Sequence, residues 1–247
     1  MYATLALLMI IVLPLPVLVR GNRAGTSPFR SILTGAVMAG VGMAIVFLLG
    51  SIAGSGITGE LENVTRDMSS RLAGNDQLAQ ALGMDDLGRT ARIAHYQQMY
   101  AGFLQIVPAS LMITAVIVSW LEGLLIGRRR GEDGRPYNPV PPLRTLIIPR
   151  STLWGWLVIV AASWIIKLAG LSFGTTLTAN VDILFSFTFA LQGMSLVLQF
   201  FFLKKVPKAV PVLILIMCWL TSIGQNILFI LGLIDIVFHL RGRIKAR

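Results

Sequence analysis

The stretch NVDILFSFTFALQGMSLVLQFFFLKK, residues 180–205, decides the fold class of this chain. It holds about two dozen residues, enough for one helix across a bilayer. Asp182 lies near its start, two lysines end it, and Gln192 and Gln199 are strongly polar residues between them. In a medium without water, each polar side chain needs a protein partner or a cavity. The stretch therefore predicts a transmembrane helix, and its polar residues are the first candidates for function.

The composition extends this prediction to the whole chain. Of its 247 residues, 55% are hydrophobic and only 13% are charged, whereas a soluble domain has about 25% charged residues. The mean hydropathy is +0.76. We therefore expect an all-α, polytopic transmembrane helix bundle that forms a single integral-membrane domain.

Charge and metal-binding residue types exclude several classes of function. The net charge of +10 comes from short basic clusters between apolar runs, where such clusters set membrane topology, so we expect no nucleic-acid partner. The single cysteine, Cys218, excludes an intrachain disulfide and a cysteine-based metal site. His95 and His239 are far apart in sequence, and no HExxH motif occurs. We expect neither a bound metal nor a cofactor.

Two apolar segments precede the first large polar region. Residues 2–19 are interpreted as a retained helix with an outer N-terminus rather than as a signal peptide, because positive charges follow the segment and do not precede it. Pro14 and Pro16 should kink or end this helix. The second segment covers residues 31–53 and repeats small residues every fourth position, a pattern that favours close packing on a helix of the same chain or of a partner. These helix-packing residues are Ala36, Gly40 and Ala44.

Residues 55–99 are predicted to be an outer polar insertion with an amphipathic helix. Its apolar positions have helical spacing; they are Leu61, Val64, Met68 and Leu72. A third span should begin at Asp85 or Asp86 and end near Leu121. The basic, proline-rich residues 122–150 then form an inner loop, in which Arg128, Arg129 and Arg130 set the topology or bind anionic lipid.

Three more apolar segments bring the predicted total to six. They are residues 151–171, the opening stretch and residues 209–240. The last is about 32 residues, or roughly 48 Å of helix against roughly 30 Å of hydrocarbon. It is either one long tilted helix or two helices that meet at the polar residues 221–226. Two passes would place the basic tail on the same side as the other basic loops, as the positive-inside rule favours.

Four short patterns make the chain resemble the YybS-like family of predicted bacterial membrane proteins. They are LPLP at residues 13–16 before a basic turn, residues 142–150 before a tryptophan-containing span, Asn180 with LQG at residues 191–193, and LGLID at residues 231–235. Members of the family usually have a further apolar helix before LPLP, which this sequence does not contain. In general character the family is similar to the substrate-binding components of energy-coupling-factor transporters and to the rod-shape membrane protein. The resemblance implies a multi-pass protein of the bacterial cytoplasmic (inner) membrane.

The outer ends of the predicted helices hold one candidate site for a polar solute. Its residues are Lys167, Asn180, Asp182, Gln97 and Gln98. A cation and an anion at similar depth can pair around a pocket, whereas the alternative is that Lys167 extends to the interface and Asp182 caps its helix.

A second polar set lies deeper and either bonds helices together or lines a solute path. It consists of Gln192, Gln199, Gln225 and Asn226. For Asp235, an ion pair with the basic tail is a simpler interpretation than a proton shared with His239.

Three functional hypotheses follow. The leading one is a membrane subunit of the substrate-binding or transport type, without catalytic residues of its own. It would act with partner membrane or ATPase subunits, because the chain has no phosphate-binding loop, and would contact membrane lipids and a small-molecule solute. The second is a scaffold or assembly factor of the cell envelope, and the third is an enzyme acting on a lipid-linked substrate.

Overall fold

The computed structural model describes residues 2–52, 57–84, 86–127 and 140–245, whose regular structure is entirely helical. The predicted all-α, polytopic class is confirmed. The chain forms two compact units: unit 1 comprises Met1–Thr26 and Arg30–Ile126, and unit 2 comprises Ser27–Phe29 and Gly127–Arg247. Residues 128–130, the predicted topology or lipid-binding arginines, lie outside the described residues.

Unit 1 begins with two short helices, α1 (Tyr2–Val12) and α2 (Pro14–Arg23). Together, residues 4–23 are long and apolar enough for one span. Pro14 and Pro16 lack backbone donors, so the helical hydrogen-bond ladder is interrupted between the two helices. The predicted break at the prolines is confirmed.

The core of unit 1 joins α1 to two long helices, α3 (Pro28–Ile52) and α6 (Arg89–Gly127). Ala6 and Ile10 of α1 pack with Ala36 and Ala39 of α3 and with Ala115 of α6. Because these side chains are mostly small, the helices can approach closely.

The polar insertion of unit 1 contains α4 (Ile57–Ala73) and α5 (Asp76–Ala81). The predicted amphipathic helix is therefore present, and its Val64 and Met68 are 55% and 46% exposed. Of the two predicted starts of the next helix, Asp85 lies outside the described residues, and the start at Asp86 was wrong. Asp86 lies in a turn and α6 begins at Arg89, since Arg92 of its first turn donates to the carbonyl oxygens of Met84 and Leu87 at 3.1 and 2.8 Å.

Unit 2 is built on an antiparallel pair, α7 (Arg150–Leu168) and α8 (Gly174–Leu203). With increasing distance from the loop between them, the contacts join residues earlier in α7 to residues later in α8. The Thr178 hydroxyl donates to the Ser163 carbonyl at 3.1 Å, and the Trp156 and Phe185 ring centres are 6.0 Å apart. Helix α8 begins at Gly174, before the opening stretch. The threonine-rich residues continue the helix because Thr178 also donates to the Gly174 carbonyl at 2.9 Å.

The last apolar run of unit 2 is broken. It forms α9 (Ala209–Leu220) and α10 (Ser222–Phe238), bent by 114° at Thr221, followed by α11 (Leu240–Lys245). A bend above 90° turns the chain back on itself. Five helices of the described residues are long and apolar enough to span a membrane, besides this bent pair.

Helix α10 lies parallel to α8. Phe185 contacts Phe229 with ring centres 5.5 Å apart, and Gln192 bonds to Asp235 further along both helices. Helix α9 runs in the opposite direction to α8. Lys208, just before α9, lines the same groove as Phe202 near the end of α8, whereas Trp219, near the end of α9, contacts Phe187 with ring centres 6.1 Å apart. Both ends of the bent pair therefore return to the same end of α8.

Candidate functional site

The site in unit 2 lies where α8 and α10 cross at two glycines. A Cβ atom on Gly193 would collide with the carbonyl oxygen of Leu228, and one on Gly232 would collide with that of Phe189. The two backbones are therefore in direct contact, which side chains larger than hydrogen would prevent. This contact holds the neighbouring residues Gln192 and Asp235 against each other.

A buried polar network surrounds the crossing. Gln192 and Asp235 are only 2% and 4% exposed. The Gln192 amide donates from Nε2 to Asp235 Oδ2 at 2.6 Å, and Arg241 donates to the same oxygen from Nε at 3.0 Å. The ion pair expected between Asp235 and the basic tail is thus formed by Arg241. The network compensates for burying a charge, which costs several kcal/mol if the charge is unpaired.

The segment before α7 completes this network. It contains a 3₁₀ turn, Leu143–Thr145, and then runs extended to α7. Ile148 donates its backbone N–H to Gln192 Oε1 at 3.0 Å, and Ser195 Oγ donates to the Leu146 carbonyl at 3.0 Å. This segment therefore packs against the part of α8 that lies beyond the start of α7.

Three of the patterns behind the YybS-like resemblance converge in this network. Gln192 belongs to LQG, Asp235 to LGLID, and Ile148 to the segment before the tryptophan-containing span. Arg241 also donates from Nη1 to the backbone carbonyl of Arg144 at 3.1 Å. The sequence indicated each pattern separately, and the structure shows that they form one contact.

The network lies near one end of the apolar layer. Gln192 is roughly 27 Å along the helix from Gly174, about the length of α7 and about the thickness of the hydrocarbon. It is therefore level with Arg150 at the start of α7. This is the basic end of unit 2, which we define by Arg144, Arg150, Lys204, Lys205, Lys208 and Arg241.

A groove opens beside the network at the basic end. We call it the basic groove; its volume is about 240 Å³. Its walls come from the segment before α7, the end of α8 and the start of α9. Its lining includes Leu143, Arg144, Leu198, Phe202, Lys208 and Val212.

The predicted outer site divides between the two units. Lys167 is exposed, with Nζ 5.1 Å from the ring centre of Trp164, and Asp182 is half-buried. Lys167 and Asp182 form no ion pair with each other. Asn180 is buried and donates from Nδ2 to the Thr176 carbonyl at 2.7 Å. Gln97 and Gln98 are exposed on α6, in unit 1.

The alternative role for Asp182, capping of its helix, was wrong because α8 begins eight residues earlier, at Gly174. Asp182 lies within the helix. In the register of α8 and α10 it is level with the start of α10, where Gln225 and Asn226 lie.

The remaining predicted polar residues are less buried than Gln192. Gln199 is half-buried, whereas Gln225 and Asn226 are exposed. Gln225 donates from Nε2 to the carbonyl oxygen of Trp219 at 2.7 Å, across the bend between α9 and α10. This bond satisfies a carbonyl group that the end of α9 leaves without a helical partner.

The predicted helix-packing residues differ in their surroundings. Ala36 is buried, Gly40 is half-buried against Met112, and Ala44 is exposed. The buried face of α3 instead follows Ala36, Ala39 and Met43, because residues three and four apart share a helix face.

Unit 1 holds buried polar groups near the end of α6 to which the sequence assigned no function. Ser119 Oγ, Trp120 Nε1 and Glu122 Oε2 are buried without a hydrogen-bond partner in the described part of the chain. Ser119 and Glu122 are 0% and 9% exposed. Their spacing of three residues was a signal that they share a helix face. No group of residues able to hold a metal ion occurs within the described ranges.

Comparisons with known proteins point to the same class as the structure. Residues 1–236 match the family model described as "Predicted membrane protein (DUF2232)". The "Uncharacterized protein YybS" of Bacillus subtilis (strain 168) is 25% identical over 138 residues, which are 56% of this chain and 44% of that protein. The chain thus spans less than half the length of this relative. The resemblance to YybS-like proteins is confirmed, and no solved structure matches the chain.

Proposed function

We propose that this chain, which belongs to the DUF2232 family of predicted membrane proteins, is a subunit of the substrate-binding or transport type that acts with partner proteins in a bacterial cytoplasmic membrane. The observation that carries the proposal is the bent pair α9 and α10, which turns back by 114° at Thr221. Helices that break within the apolar layer present backbone and side-chain polar groups there, and such breaks often form solute sites in transporters.

The residues at the level of the bend supply a carboxylate and an amide, two polar groups that can bind a solute. Thr221 accepts a hydrogen bond on its side chain from the Gly224 N–H at 3.2 Å, so it begins α10 as a cap. Asn226 is exposed in the first turns of α10, and Asp182 of α8 lies at the same level. A carboxylate and an amide at one level of two packed helices suit a polar, hydrogen-bonding or cationic solute.

The test is whether the native protein retains a solute and whether these residues hold it. The full chain would be purified in mild detergent, alone and with copurifying proteins, and its bound small molecules identified by mass spectrometry. We expect the variants Asp182→Asn and Asn226→Leu to lose the solute. Asp86→Asn, an exposed acid in unit 1, and Lys205→Met, at the basic end, are matched controls that should retain it.

The outcomes distinguish the proposal from its rivals. A wild-type protein that retains no small molecule in any of its complexes contradicts it and leaves a scaffold as the better description. Conversion of a lipid-linked substrate by the purified chain would contradict it as well. Equal solute loss in the control variants would show that the bend is not the binding site.

A further inference from the structure

We propose that the basic groove binds an anionic phospholipid, with the phosphate between Arg144 and Lys208 and the start of one acyl chain on the apolar wall. This site lies at the opposite end of α8 from Asp182 and is independent of the proposed solute site. The proposal rests on the groove's shape, its two cations and the absence of an acid among the described residues that line it.

The apolar wall of the groove is continuous and open on one side. Leu198 and Phe202 come from α8 and Val212 from α9. Phe202 and Val212 are each 49% exposed. Exposed apolar residues at a membrane-embedded surface are in contact with lipid chains, so an acyl chain can lie on this wall and continue outward.

The position of Arg144 is fixed by contacts that do not neutralise it. Its Cζ lies 3.6 Å from the ring centre of Phe202, a cation–π arrangement. Its backbone carbonyl accepts the hydrogen bond from Arg241, which ties the residue to the buried network. A guanidinium stacked on a ring keeps the N–H groups along its edge available, and these donors match the oxygens of a phosphate.

Lys208 supplies the second cation from the opposite wall. It lies between α8 and α9, is exposed, and lines the same groove as Arg144. The ion pairs of the described residues are Arg92 with Asp76 and Arg241 with Asp235, so neither Arg144 nor Lys208 is paired with an acid. Asp235, the carboxylate of the buried network beside the groove, is already compensated by Arg241.

The size and depth of the groove favour a lipid over other anions. Its volume of about 240 Å³ is below that of a typical pocket for a whole drug-sized ligand, about 300–1,000 Å³. It therefore suits a phosphate and the beginning of one chain, with the remainder in the bilayer. The groove lies on the headgroup side of the start of α7, because its residue Leu198 is about 9 Å of helix beyond Gln192, and basic pockets between helices near the lipid headgroups bind anionic lipid.

The experiment compares lipid binding by full-length variants. The wild type and the variants Arg144→Gln and Lys208→Gln would be mixed with equal amounts of phosphatidylglycerol and phosphatidylcholine in detergent. Bound lipid would then be counted by native mass spectrometry. We expect the wild type to prefer phosphatidylglycerol, and each variant to lose this preference by about fivefold, the effect of one cation near an anionic surface. Lys167→Gln, at the opposite end of unit 2, is the matched control and should bind as the wild type does.

Two further arms keep the result decisive. Arg144→Lys keeps the charge but loses the fork of donors, and we expect it to bind more phosphatidylglycerol than Arg144→Gln. The Lys208 side chain is exposed and makes no hydrogen bond within the described ranges, so its variant tests the site even if a change at Arg144 prevents folding. Unchanged lipid preference in Lys208→Gln, or an equal loss in Lys167→Gln, would overturn the proposal. Displacement of the lipid by millimolar inorganic phosphate would also overturn it, because the site would then be one for free anions.

Discussion

Replacing Asp235 with alanine tests whether the buried network holds the basic end of unit 2 together. The Asp235 carboxylate accepts hydrogen bonds from Gln192 at 2.6 Å and from Arg241 at 3.0 Å. Its removal leaves the Arg241 side chain, which is 12% exposed, without its counter-charge. Breaking one partner of a buried ion pair costs about 3–5 kcal/mol. We therefore expect Asp235→Ala to lower the free energy of unfolding by about that amount.

Two related variants separate charge from hydrogen bonding. Asp235→Asn keeps an oxygen acceptor but loses the charge, so the bond from Gln192 becomes a neutral one, roughly half as strong, and Arg241 keeps a hydrogen bond but no counter-charge. We expect its loss of stability to be about half that of Asp235→Ala. Asp235→Leu combined with Arg241→Met replaces the pair by apolar groups, which is often nearly neutral. This double variant should be more stable than Asp235→Ala.

The assay is equilibrium unfolding in mixed micelles with increasing sodium dodecyl sulfate, followed by the fluorescence of the five tryptophans. Asp86→Asn, at an exposed position, is the control and should stay within about 0.5 kcal/mol of the wild type. An Asp235→Ala protein as stable as this control would show that the network does not stabilise unit 2. A double variant that loses at least as much stability as Asp235→Ala would contradict the expectation for the apolar pair.

Three further predictions concern packing and buried polar groups, each measured by the same unfolding assay. Gly232→Ala should lower the unfolding free energy by about 1–3 kcal/mol because its new Cβ collides with the facing helix. Gly155→Ala is the control: nothing lies near its new Cβ, so it should be neutral or stabilising by up to about 1 kcal/mol. Equal effects of the two changes would contradict the close crossing of α8 and α10. Glu122→Gln should stabilise unit 1, since it removes a carboxyl group buried without a partner among the described residues, and a loss of stability would show that the carboxyl group has a stabilising role. Arg92→Met should cost about 1–3 kcal/mol because the Met84 and Leu87 carbonyls lose the hydrogen bonds from the Arg92 guanidinium. Asp76→Asn should change stability by less than about 1 kcal/mol because that acid is 91% exposed; the reverse order would contradict this account.

The helix positions could be predicted from local patterns. Apolar runs between basic clusters located the spans, and the prolines at residues 14 and 16 located the break between α1 and α2. The start of α8 could not be read in the same way. Threonine and glycine are typical of loops in water, but in this helix the Thr178 hydroxyl bonds to a carbonyl one turn back, so the residues remain helical.

The candidate site was predicted only in pieces. Gln192 was recognised as a buried polar residue and Asp235 as a partner of the basic tail, but their contact joins α8 to α10 across 43 positions of sequence. Periodicity describes which face of one helix is apolar, and it does not say which two helices meet. The contact depends on the bend at Thr221, whose angle no local pattern determines.

If α9 and α10 turn back at Thr221, the chain after α10 lies on the side of the membrane from which α9 began. This side can be measured. In the full chain with Cys218→Ser, single cysteines at Lys205, Lys245 or Ser172 would be labelled in intact cells with a membrane-impermeant maleimide. Lys205 precedes the bent pair, Lys245 follows it, and Ser172 lies in the loop at the other end of α8. We predict the same labelling at Lys205 and Lys245 and the opposite at Ser172. Opposite labelling at Lys205 and Lys245 would mean that the last run crosses once, and would contradict the account.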